Sequence, residues 1–146
     1  MRAVEVSLSP SSLIIARLHP GEELLESVRQ LSRKYSISGG LIVAIGGLKH
    51  LEVGVYKQGK YDVQSFDAGE GETIELTSAV GSLALDETGA PSPHIHVTAA
   101  LPDHQPVSGH LLKGVVSPLA EVFIVSASGT LRRLMDQSIG LPALTL

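Results

Sequence analysis

The 146-residue sequence contains no cysteine and no tryptophan, few other aromatic residues, a small net charge and no long apolar run. Without cysteine, disulfides, thiol nucleophiles and cysteine-based zinc modules are excluded. The apolar run Leu13-Ile14-Ile15-Ala16 is far short of the roughly 20 residues that a membrane helix needs, and Met1-Arg2-Ala3-Val4-Glu5-Val6 carries no long apolar leader. A cytoplasmic protein with no membrane partner is the expectation. The formal charge of −4 opposes non-specific nucleic-acid binding, whose affinity comes from Lys and Arg neutralising phosphates. The basic candidates for such contacts are Arg29, Arg33 and Lys34, which suit the solvated face of a helix, together with Arg132 and Arg133.

Aliphatic residues and 15 glycines are what the chain has instead, a composition suited to a β-rich core with many tight turns. One domain over residues 1–146 is expected, long enough to bury roughly 68–70% of its unfolded surface. Leu24, Leu25, Val28, Leu31 and Tyr35 recur at helical spacing, which predicts a helix from Glu22 to about Tyr35. Its acidic start and basic end suit the helix dipole. Residues 12–18 read as a buried strand, and from Leu41 onward the pattern alternates strand and turn. Gly46-Gly47 should mark a bulge or bend. No phosphate-cradling glycine motif occurs. The sum is an α+β fold: a mainly antiparallel sheet of about seven strands with one principal helix packed on it. A loosely structured tail is expected over 136–146.

Chemistry concentrates in Pro93-His94-Ile95-His96-Val97-Thr98 and Gly109-His110-Leu111. His94 and His96 lie two apart in an alternating apolar run, so on a strand they share a face. Between them and His110 stands Leu101-Pro102-Asp103-His104-Gln105-Pro106, a run of turn formers that reads as a hairpin loop. A hairpin symmetric about Asp103 makes His96 and His110 direct cross-strand neighbours, with His94 on the diagonal at roughly 7–8 Å. A one-residue slip would send His110 to the other face. Three neutral imidazoles with an open fourth position form a familiar site for zinc or another divalent transition metal. His104 falls at the loop tip, and His19 and His50 stand alone with nothing near them in sequence that points to ligation.

Together with Arg17-Leu18, Gly21-Glu22-Glu23-Leu24, Ile37-x-x-Gly40, Ala44-Ile45-Gly46, Gly81-Ser82-Leu83, Gly114-x-Val116 and Ala120-Glu121-Val122, these histidine motifs resemble the plants-and-prokaryotes conserved (PPC) domain over nearly the whole chain. The resemblance implies a homotrimer of α/β subunits whose His94, His96 and His110 hold a metal ion, with zinc the first choice. It also carries a DNA-binding label, which in the plant members rests largely on a separate Arg-Gly-Arg-Pro segment, the AT-hook. No such segment occurs in this sequence. The family often shows Gly-Gly-His-Leu, whereas Ser108-Gly109-His110-Leu111 keeps one glycine of the pair.

Three functions follow in order of preference. The first is a non-enzymatic, trimeric, metal-binding regulatory module, and the second is a DNA-associated one. The third is a metal-dependent hydrolase or lyase in which a zinc-bound water meets a carboxylate base. Glu121 is the nominated catalytic acid or base, with Asp86 or Glu87 in reserve.

Overall fold

The computed structural model describes residues 12–145; the N-terminal reading over Met1 to Val6 lies outside the described residues. The elements run β1 (Leu13–Leu18), α1 (Leu24–Lys34), β2 (Gly40–Lys57), β3 (Lys60–Asp67), β4 (Ile74–Leu85), β5 (Pro91–Ala100), β6 (Pro106–Ser126), β7 (Arg132–Asp136) and β8 (Leu141–Thr145). This is the α+β arrangement expected, with eight strands rather than seven. The extra strand, β8, lies in the tail read as loosely structured, where it pairs antiparallel with β7 from Arg132↔Thr145 to Asp136↔Leu141. Short, proline-bearing and without clean alternation, its sequence carries no strand signal; the pairing partner makes it one.

Glu23 sets the start of α1. Its carboxylate accepts hydrogen bonds from the backbone N–H of Leu25 and Glu26, satisfying two of the unpaired donors of the first turn. The same carboxylate accepts from Gly114 N at 3.1 Å, so the cap also ties the helix to β6. Leu24, Leu25, Val28 and Ser32 form the buried stripe.

β2 pairs with β6, β6 with β5, β5 with β4, and β4 returns to β2, so the ladders close on themselves. One face of this ring is core: Ile42, Ile124, Leu83 and Ile95 are at most 1% exposed and pack with Leu24 and Val28. Each such side chain contributes roughly 1.5–3 kcal/mol by leaving water. The two long apolar segments of the sequence join into a single β2 because register shifts bend it rather than end it. The expected irregularity falls at Gly46, whose φ of +145° and close approach to Ala120 exclude a side chain.

The opposite face is exposed and bears two continuous rows. Ile15, Phe123, Val43, Val80, His96 and His110 are successive register partners across β1, β6, β2, β4, β5 and again β6. Leu13, Val125, Leu41, Ser82 and His94 form the neighbouring row. Ile15 is 65% exposed and Leu13 56%, and Leu41, Ile45 and Val80 also stand in solvent. No helix is long and apolar enough to cross a membrane.

Candidate metal centre

Alternation along β5 decides where the imidazoles go. Ile95 and Val97 are drawn into the core, which turns His94 and His96 to the exposed face. The loop between β5 and β6 is closed by Leu101 N donating to Gln105 O, with Asp103 accepting from Gln105 N and His104 at the exposed tip in the left-handed region. It imposes the pairs His96↔His110, Val97↔Gly109 and Thr98↔Ser108, the register symmetric about Asp103 that the turn formers predict. Ser108 is exposed opposite Thr98.

The three rings converge. Centroid separations are 5.0 Å for His94–His96, 5.0 Å for His94–His110 and 5.6 Å for His96–His110. The Nε2 atoms of His94 and His96 are 3.2 Å apart, and one nitrogen from each ring lies within 4.8 Å of the others. Two nitrogens bound to one tetrahedral zinc stand about 3.3 Å apart, so the first pair is already at bite distance and a shift of up to about 1.5 Å brings in the third. Burial, joined by the neighbouring histidines and Arg133, pushes the His110 pKa down to about 4. His94 is lowered by burial, then by Arg133 and His96. Both rings are therefore neutral at pH 7, the form that ligates metal. His110 Nδ1 is buried with no hydrogen-bond partner. An all-imidazole donor set with one orphaned ring nitrogen fits a divalent transition metal.

Residues remote in sequence build the surroundings. Tyr61 of β3 stacks on His110 at 4.8 Å and 23°. Gly54 makes this possible: it is the register partner of both His110 and Val63, and a Cβ there would meet Tyr61 Cδ1 at 2.8 Å. From β7, Arg133 reaches across β4 and β5. Its Nη2 donates to Ser82 Oγ at 2.7 Å, and its Nη1 donates to the carbonyl and hydroxyl of Ser92. Because Ser82 is the register partner of His94, the guanidinium is held beside the triad. Tyr61, His94, His110 and Arg133 line a cavity of about 230 Å³ closed on one side by Leu141 and Pro142 of β8.

The other candidates lie elsewhere. Glu121 is exposed between Arg17 and Ile45 in the ladders and does not line this cavity, nor do Asp86 and Glu87. The Asp86 carboxylate caps its own turn, accepting from Thr88 N, Thr88 Oγ1 and Ala90 N; the Thr88 hydroxyl is the main cause of its lowered pKa. Arg29 and Arg33 pair with Glu26 on the exposed face of α1, and the Lys34 ammonium lies 5.2 Å from the Tyr35 ring centroid. Arg132 and Arg133, adjacent in β7, face opposite ways: the first is exposed and the second is 5% exposed, which withdraws Arg133 from any nucleic-acid surface. His50, which stands alone in sequence, is held between Asp67 and Glu52. Sequence reasoning missed Tyr61 and the part played by Arg133, since neither is near the histidines along the chain.

The family model of the Plants and Prokaryotes Conserved (PCC) domain matches residues 6–128. No curated protein matches the chain. Among solved structures, a metal-containing protein from Archaeoglobus fulgidus is similar at 26% identity and a TM-score of 0.87, covering 100% of both chains. A plant- and prokaryote-conserved (PPC) protein from Pyrococcus horikoshii gives 27% and 0.86, covering 100% of this chain and 98% of its own. A protein from Ralstonia eutropha JMP134 named "Putative DNA-binding protein" gives 28% and 0.80, covering 90% of each chain.

Proposed function

Because this chain belongs to the Plants and Prokaryotes Conserved domain family, we propose that it is a homotrimeric metal-binding module in which His94, His96 and His110 hold zinc or another divalent transition metal. The observation that carries this reading is the convergence of three imidazole nitrogens within 4.8 Å, one of the rings with an orphaned buried nitrogen. The metal-containing relative from Archaeoglobus fulgidus supports it. When bound, the ion would act as a Lewis acid with a position left for a water or ligand. The chain's own part is to keep His94 and His110 neutral through burial and Arg133, and to hold the His110 ring against Tyr61.

The trimer is supported by the apolar rows of the exposed face. A contiguous set of Leu13, Ile15, Leu41, Ile45 and Val80 is more than a monomer ordinarily leaves in water. The expected mass in solution is three chains, and Ile15→Asp combined with Leu41→Asp should shift it to one. Zinc at close to one equivalent per untagged chain, lost on replacing the three histidines with alanine, is the expected result. Zinc below a tenth of an equivalent in the unsubstituted protein would defeat the metal reading.

The role of the module is regulatory or DNA-associated. The Ralstonia relative's name favours DNA, whereas the net charge of −4 and the pairing of the helix arginines with Glu26 oppose it. Binding to duplex DNA across a salt series tests this, since phosphate contact requires affinity to fall steeply with salt. A metal-dependent hydrolase or lyase is the second reading, favoured by the cavity beside the triad. No carboxylate lines that cavity among the described residues, which leaves the second reading without its general base.

A further inference from the structure

Arg133 is the one arginine buried among the described residues, and its charge has no counter-ion there. Arg29 and Arg33 meet Glu26, but every acceptor that Arg133 reaches is neutral: Ser82 Oγ, Ser92 Oγ and the Ser92 carbonyl. Removing an ion from water is unfavourable unless an opposite charge replaces the lost hydration. Desolvation accordingly lowers the pKa of the guanidinium. Nor do the neighbouring groups help, because no carboxylate lines the cavity among the described residues and a bound divalent ion would add positive charge.

The guanidinium is also held in place for recognition. Ser92 fixes Nη1 and Ser82 fixes Nη2, from two different strands, while Nε–H has no acceptor among the described residues. A guanidinium has more N–H groups than these acceptors use, and its planar fork matches a carboxylate in bidentate fashion. The cavity it lines is polar at the arginine and histidine end and apolar along Leu141 and Pro142. At about 230 Å³ it lies below the usual range for drug-sized ligands, so its occupant is small.

We propose that this cavity is a binding site for a small carboxylate with a short apolar body, anchored through its carboxylate by Arg133 and seated between the His110–Tyr61 stack and the Leu141–Pro142 wall. The assignment deepens the metal-module reading by giving the site a ligand class, and its anchor does not depend on the ion. Butyrate is the probe, with inorganic phosphate as the comparison anion. Both are titrated calorimetrically into metal-free and zinc-loaded protein, and zinc stoichiometry is measured in parallel.

Butyrate should bind in both forms, more tightly than phosphate. Arg133→Lys keeps the charge and loses the fork, and should weaken butyrate at least tenfold. Since Arg133 also ties β4 to β5, a second variant keeps the test independent of folding. Leu141→Trp fills the cavity from its opposite wall, keeps Arg133 and its bonds to Ser82 and Ser92, and should abolish butyrate binding while leaving zinc stoichiometry unchanged. Butyrate affinity unchanged in both variants, no butyrate binding in either metal state, or phosphate bound in preference to butyrate would each overturn the assignment. If zinc fails to bind while butyrate binding still requires Arg133, the metal reading falls and the carboxylate anchor stands.

Discussion

His50 and the cluster of His94, His96 and His110 place the same side chain on one sheet in opposite electrostatic settings. His50 sits on β2 opposite Asp67 of β3, with its Nδ1 2.7 Å from Asp67 Oδ1 and its Nε2 2.9 Å from Glu52 Oε1. Hydrogen bonds to Asp67 and then Glu52 raise its pKa, with burial pulling the other way. The triad has no carboxylate partner among the described residues; burial, its own members and Arg133 lower His94 and His110. One setting favours a cation that pins a hairpin, and the other favours neutral rings with nitrogen lone pairs to offer. Imidazole is thus a ligand or an ion-pair member according to what is packed beside it.

Removing the imidazoles breaks the contrast most sharply. Alanine at positions 94, 96 and 110 should reduce bound zinc from about one per chain to under a tenth, whereas His50→Ala should leave it unchanged; elemental analysis of dialysed protein reads both. Next in size is Gly54→Val. Its side chain meets Tyr61 Cδ1, so the ring that covers His110 must move, at a cost of about 1–3 kcal/mol in a denaturant midpoint. Valine at Gln58, in the β2–β3 turn, should have little effect on zinc binding.

The two settings also give opposite signs with pH. In the metal-free protein, His110 resists protonation down to about pH 4, while the unfolded chain takes up that proton near 6.5. The unfolded state therefore binds more protons between those values, and stability falls by about 1–2 kcal/mol as pH drops through them, allowing for the ring's partial exposure. His50 acts the other way: its pairing stabilises fully below its ordinary value and is lost as pH rises through its higher folded value. Midpoints measured from pH 4 to 8 should flatten at the acid end in His110→Phe and at the alkaline end in His50→Gln. The smallest effect is expected from Asp67→Asn, about 0.5 kcal/mol and reduced by salt, because Asp67 is exposed. A cost several times larger would mean that the His50 bridge holds more than its hairpin.

Much of the triad was legible because its information is local. The alternation at Ile95 and Val97 sets the face of His94 and His96, and the turn formers around Asp103 set the register that brings in His110. The helix was legible from Leu24, Leu25 and Val28, and the β2 bend from Gly46. The place of Glu121 was not legible, because a strand glutamate beside apolar residues says nothing about which ladder row it occupies; it pairs with Arg17 and Ile45 and does not line the cavity. Arg133 misled through its neighbour Arg132, since a basic pair in sequence becomes one exposed and one buried residue on a strand.

What the sequence determined by itself is whatever depends on the two-residue and 3.6-residue periods and on turn chemistry: the antiparallel α+β fold, the helix, and the pairing of His96 with His110. Tertiary structure alone decided the environment of those histidines. Tyr61 on His110, Arg133 pinned to Ser82 and Ser92, and the β8 wall come from β3, β7 and β8, brought together by packing across many tens of residues. Burial and charge at a site are sums over such neighbours, and no local pattern in the chain encodes that sum.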